Sequence, residues 1–216
     1  MGVLLGGFRK VFGYRNTWFI FFAQGGIVGP ILAFTGLWGT PFLKVRFSLP
    51  PAQAAGVCSV MIVCWAVASP ICGAFSDRIG RRKPIYLLGA TVSAAGWVAM
   101  CFSSMPLAAF IAVAALTSFA SGAVVLGFAY AKESVPVEFL GTISGAVNIG
   151  NMIGPMLLQP GIGQMLEKNW AGQMAAGVRL YDLHAYHVAF VLIVGWAVVS
   201  CLLISLTSET FCRARS

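Results

Sequence analysis

Long apolar runs broken by short basic turns set the pattern of this chain. Stretches free of charged and histidine residues cover 16–43, 47–76, 84–131, 139–166 and 188–208. A helix needs about 20 apolar residues to cross roughly 30 Å of hydrocarbon. The third stretch is 48 residues long, so it folds back on itself, and Ser103-Ser104-Met105-Pro106 supplies the break. The pattern predicts six spans within one domain over 1–216, at about 17–40, 53–75, 84–103, 106–130, 140–164 and 186–207. Transmembrane barrel strands would alternate polar and apolar positions. These runs are continuous, which predicts an all-α polytopic membrane protein.

Composition agrees. Hydrophobic residues make up 59% of the chain, charged residues 9%, and mean hydropathy is +0.87, against about 25% charged residues in soluble domains. The net charge of +8 is read as basic loops facing the cytoplasm. No zinc-finger, RNP-like or helix-turn-helix pattern is present, so nucleic acid is not an expected partner. Cys58, Cys64, Cys72, Cys101, Cys201 and Cys212 lie mostly in apolar runs without a C-x-x-C pair, which predicts no disulfide framework. No metal, no cofactor and no enzyme activity are expected, since no cluster of His, Asp and Glu is visible. Met1-Gly2 lacks the serine or threonine of a myristoylation signal.

Lysine and arginine predict the orientation. Arg9, Lys10, Arg15, Arg78, Arg81, Arg82, Lys83, Lys132, Arg213 and Arg215 fall on one side of the six spans; Lys44, Arg46, Lys168 and Arg179 fall on the other. Ten against four predicts both termini in the cytoplasm.

An internal repeat is also visible. Pro70, Gly73, Asp77 and Arg78 close the second span with the spacing P-x-x-G-x-x-x-D-R; Pro160, Gly163, Glu167 and Lys168 close the fifth with P-x-x-G-x-x-x-E-K, 90 residues on. One copy ends inside and the other outside, which predicts a three-plus-three inverted repeat.

Gly73, Asp77, Arg78, Gly80, Arg81 and Arg82 form a short basic loop between spans 2 and 3. A carboxylate at the membrane boundary is costly unless paired, so Asp77 carries more meaning than Arg82 and Lys83, which read as topology ballast. This loop resembles the signature G-x-x-x-D-R-x-G-R-R/K of the major facilitator superfamily at every position. Trp38-Gly39, Trp65 to Pro70, and Glu133-x-x-Pro136 before Gly141 look like the C-terminal six-helix half of that fold. The resemblance implies a secondary transporter working by alternating access. It also implies a latch in which Glu133 pairs with Arg81 or Arg78, and a solute cavity lined by spans 1 and 4, with 2 and 5 at its sides. Gln24, Trp38, Ser121, Asn148 and Asn151 are the cavity candidates; Thr35, Thr117, Ser118 and Gln159 are further polar groups in those spans. Helix bridging explains such residues equally well. Gly25/Gly29, Gly141/Gly145 and Gly150/Gly154 are spaced for close helix packing.

Three readings stay open: half of a transporter completed by a complementary six-helix half, a six-span unit acting as a homodimer, and a non-transporting scaffold or inactive fragment. The partners expected are a small-molecule solute and the lipid bilayer. The expected place is the cell membrane, with a bacterial inner membrane as the setting.

Overall fold

The computed structural model describes residues 2–175 and 177–213, so Arg215, counted above, lies outside the described residues. Helix α1 (Gly2–Val11) precedes α2 (Arg15–Ala33), which runs through a π-turn at Phe34–Trp38 into α3 (Gly39–Phe47). Helices α4 (Pro51–Ile79) and α5 (Lys83–Phe102) follow. Next come α6 (Leu107–Ser121), a 3-10 turn at Gly122–Val124 and α7 (Val125–Glu133). A second 3-10 turn at Val137–Phe139 leads into α8 (Leu140–Lys168). A small antiparallel pair, β1 (Met174–Ala175) with β2 (Val178–Arg179), precedes α9 (Leu183–Ser205).

Local chemistry sets the boundaries. Pro51 opens α4 at a position that needs no N–H donor. Gly80, with φ +69°, closes α4 in the left-handed conformation that suits glycine. The expected break at Ser103–Pro106 separates α5 from α6. Asp182 caps α9 by accepting the Ala185 N–H at 2.8 Å.

Five helical segments are long and apolar enough to cross a membrane: Arg15–Phe47, Pro51–Ile79, Lys83–Phe102, Leu107–Glu133 and Leu183–Ser205. Helix α8 matches α4 in length at 29 residues but falls outside that group, because Asn148, Asn151 and Gln159 dilute its apolar content. The first span also extends further than expected. Lys44 and Arg46 stand on its last helical turns, not in a loop.

Helix α2 is the spine, packed against α8 and α9. Two of the three glycine pairs make that packing possible. A Cβ on Gly154 would lie 2.1 Å from the Gly25 carbonyl oxygen, and one on Gly150 would lie 2.4 Å from that of Phe21. Gly141 and Gly145 face open space instead. Aromatic rings fill one end of the bundle, where Phe34, Phe42, Trp97, Phe110, Tyr186 and Phe190 are buried together. Ile20, Tyr86, Tyr130, Ile143 and Ile204 fill the end nearer the basic loop. Burial differs sharply between spans: 67% of the apolar window is buried in the first and only 22% in α4. Helix α4 therefore leaves most of its surface unpartnered within this chain.

Candidate functional site

The tight turn at Gly80 folds Arg82 back beneath the end of α4. Its guanidinium donates to Asp77 Oδ1 at 2.6 Å and to Ser76 Oγ at 3.2 Å. It also grips Glu133 Oε1 from Nη2 at 2.8 Å and from Nε at 3.0 Å. The three side chains sit in different solvent. Arg82 is 10% exposed and Glu133 13%, whereas Asp77 is 64% exposed. Arg82–Glu133 is thus the shielded pair and Asp77 its wet outer partner. Burial opposes the Arg82 charge, but the bonds to Glu133 and Asp77 outweigh it and raise the guanidinium pKa above its ordinary value.

This pairing corrects the expected latch. Glu133 engages Arg82, not Arg81 or Arg78, because the Gly80 turn carries Arg82 toward α7. Arg78 is exposed, and Arg81 stacks on the Phe211 ring, 5.8 Å from its centroid. Arg82, read from sequence as ballast, is the hub.

A third acid was missed altogether. Beyond α9 the segment 206–213 crosses under the bundle as a strap. Glu209 there accepts the backbone N–H groups of Arg82 at 3.0 Å and Lys83 at 3.1 Å, capping α5. Lys83 returns a bond from Nζ to the Thr207 carbonyl at 2.8 Å. Thr210 donates to Glu133 Oε2 at 2.5 Å, and Tyr130 OH donates to Thr207 Oγ1 at 2.8 Å. Asn16 at the start of α2 exchanges two bonds with the Ser208 backbone, each 2.9 Å. The ends of α2, α5 and α7 nearest the basic loop are therefore tied through one peptide segment. Only Glu209, a lone acid after the last apolar run, hinted at this in the sequence.

The cavity candidates separate into two groups. Gln24 is fully buried: its Nε2 donates to the Val124 carbonyl at 3.3 Å and its Oε1 accepts from Tyr86 OH at 3.1 Å. Ser121 is equally enclosed, within 2.8 Å of Ser93 Oγ. Both bridge helices inside the chain, where neither side chain is open to solvent. Thr117 and Ser118 are buried likewise.

Trp38, Asn148 and Asn151 behave differently. Asn148 is exposed on α8. Asn151 is 7% exposed, and its Oδ1 has no partner among the described residues. Trp38 donates its indole N–H to the Gln159 carbonyl at 3.0 Å, while Gln159 Nε2 reaches the Leu32 carbonyl at 3.3 Å. These bonds brace the π-turn, a widened turn of the kind often found at functional positions. Beside it, Thr35, Thr40, Cys58 and Ser59 line a cleft of about 210 Å³ that contains no charged side chain. Polar groups thus gather on the open side of the first span, α4 and α8.

The basic loop, its acid at the end of α7 and these helices lie within one matched region: the family model for the Major Facilitator Superfamily covers residues 17–211. The chain belongs to the Major Facilitator Superfamily. No curated protein matches it. Members of this superfamily are transporters, not enzymes, and move small solutes across the lipid bilayer. This superfamily chain is accordingly a multi-pass membrane protein of transporter type. Gly73, Asp77, Arg78, Gly80, Arg81 and Arg82 all lie in the matched region, and among them Arg82 bonds both Asp77 and Glu133.

Proposed function

We propose that this chain is a six-span half of a secondary transporter that moves a small neutral or zwitterionic solute by alternating access. The observation that carries this reading is the Arg82 guanidinium joining Asp77 and Glu133 from three segments of chain. Helix α8 is the remaining span, fifth in chain order: its 29 residues suffice to cross the bilayer, and amides at membrane depth face protein or water rather than lipid. Support for an inverted repeat comes from α4 and α8, equal in length and starting 89 residues apart. The whole described chain then forms one domain.

The end bearing the basic loop is the cytoplasmic one in this reading. Arg9, Lys10, Arg15, Arg78, Arg81, Lys132 and Arg213 are all exposed there, which suits an inward orientation in a bacterial inner membrane. The latch holds the ends of α4 and α7 together while that side is closed, and opening requires Arg82 to release Glu133. The solute path runs along the open face of the first span, α4 and α8, past Trp38, Asn148, Asn151 and Gln159. The cleft lined by Thr35, Thr40, Cys58 and Ser59 has no charged side chain, which favours an uncharged or internally neutral solute. The largely unpartnered surface of α4 is where a complementary half, or a second copy, completes the path.

Uptake into proteoliposomes carrying this chain, alone and with a complementary six-helix half, tests the proposal. Transport in one of these arrangements, lost in Glu133→Lys, is expected. Full uptake by Glu133→Lys would sink the latch, and absence of uptake in every arrangement would sink transport.

A further inference from the structure

At the end of the bundle away from the basic loop, the structure holds a second cleft, on the far side of Trp38 from the cleft at Thr35 and Ser59. Trp38, Pro41 and Lys44 recur at three-residue spacing, with Val45 four residues after Pro41, and so share a helix face. Val178, Leu180 and Tyr181 from the β2 region, with Tyr186 of α9, close over that face. The space measures about 260 Å³, a little below the roughly 300–1,000 Å³ of drug-sized ligand pockets, which limits it to a small ligand.

Its walls are fixed in advance. The Trp38 indole is held by the Gln159 carbonyl at 3.0 Å and lies against Gly163, whose Cβ position is 3.2 Å from the ring. Tyr181 donates to Glu167 Oε2 at 3.2 Å, and its ring meets that of Tyr186 edge-on at 6.4 Å. Arg179, also at the rim, is ion-paired to Glu167 and stacked 4.5 Å from the Trp170 ring centre. Lys44 differs from all of these. Its exposed ammonium has no hydrogen bond or ion pair among the described residues, and no carboxylate lines the space. An aromatic and aliphatic slot with one unspent cation at its edge matches a ligand with an apolar body and a single anionic head.

We infer that this slot binds a small amphipathic monoanion, its apolar body between Trp38 and Tyr186 and its anionic head on Lys44. Binding here would pin the β1–β2 region against α3, and it does not rest on the transport reading. An ammonium bordering a low-dielectric wall holds an anion more strongly than one in open water.

The test uses the full chain in detergent micelles, with 4-fluorobenzoate and its uncharged analogue 4-fluorobenzamide followed by fluorine NMR. Saturable benzoate binding is expected, roughly tenfold weaker in Lys44→Gln, as loss of one charge-assisted contact implies. Benzamide should bind wild type and Lys44→Gln alike, which also reports that the variant is folded. Val45→Trp, which fills the slot, should weaken both probes. Equal benzoate binding by wild type and Lys44→Gln would overturn the assignment, as would parallel loss of both probes in Lys44→Gln or no saturable binding at all. Adding phosphatidylglycerol identifies the source of the anion. Displacement of benzoate from wild type alone supports the slot with a lipid headgroup as its occupant, and no displacement supports it with a free carboxylate.

Discussion

Exposure ranks the charged residues of the loop. Arg82–Glu133 is shielded, so removing one partner strands the other; such losses cost about 3–5 kcal/mol. The Arg82–Asp77 contact is mostly wet, and exposed pairs contribute about 0–1 kcal/mol. Arg82→Met should therefore lower the thermal unfolding temperature in detergent far more than Asp77→Asn, and the reverse order would disprove the ranking. The glycines divide the same way. Gly154→Ala drives a methyl into the Gly25 carbonyl and should destabilise by about 1–3 kcal/mol. Gly145→Ala meets nothing within 4 Å and should be neutral, or stabilising by up to about 1 kcal/mol through helix propensity. Equal melting of the two variants would argue against the seam between α2 and α8.

Among elements, spans were the most legible part of the sequence. Continuous apolar runs and Ser103–Pro106 located five helices long and apolar enough to cross, because lipid demands internally satisfied backbone over a fixed length. What periodicity could not see was the π-turn, whose extra residue leaves no trace in an all-apolar helix, and the partners of buried polar groups. Gln24 and Asn148 look equivalent as letters; only packing tells that one bridges Val124 and Tyr86 while the other is exposed. The loop motif was legible, but its pairing depended on the Gly80 turn, which swaps Arg82 for its neighbours. The strap was illegible because its polar residues bond to sequence-distant helix ends. Its capping acid gives an element-level prediction. Glu209→Ala should destabilise by about 0.5–2 kcal/mol and speed trypsin cleavage at Arg81 and Arg82. Unchanged proteolysis would mean the cap does not hold α5 in place.

For the molecule as a whole, burial is lopsided. The first span is the most enclosed segment and α4 the least, at 67% against 22% of their apolar windows. If α4 meets a complementary half or a second copy, light-scattering mass in detergent should exceed that of a single chain once the partner is present. Crosslinks from cysteines placed at Val63 and Ile71, both at least half exposed, should report the contact. A persistent monomer without crosslinks under every condition would instead leave α4 as a lipid-facing helix.

The strap also imposes an order of assembly. Hydrophobic segments enter a bilayer one after another as the ribosome makes them, and each can settle before the next arrives. Thr207, Ser208, Glu209 and Thr210 are synthesised after all of those segments, yet they join the ends of α2, α5 and α7. Until residue 210 clears the ribosomal exit tunnel, the Arg82 and Lys83 amides lack their Glu209 cap and Asn16 lacks its Ser208 bonds. The bundle can insert progressively, but its end at the basic loop is cinched only once residues 207–210 have emerged.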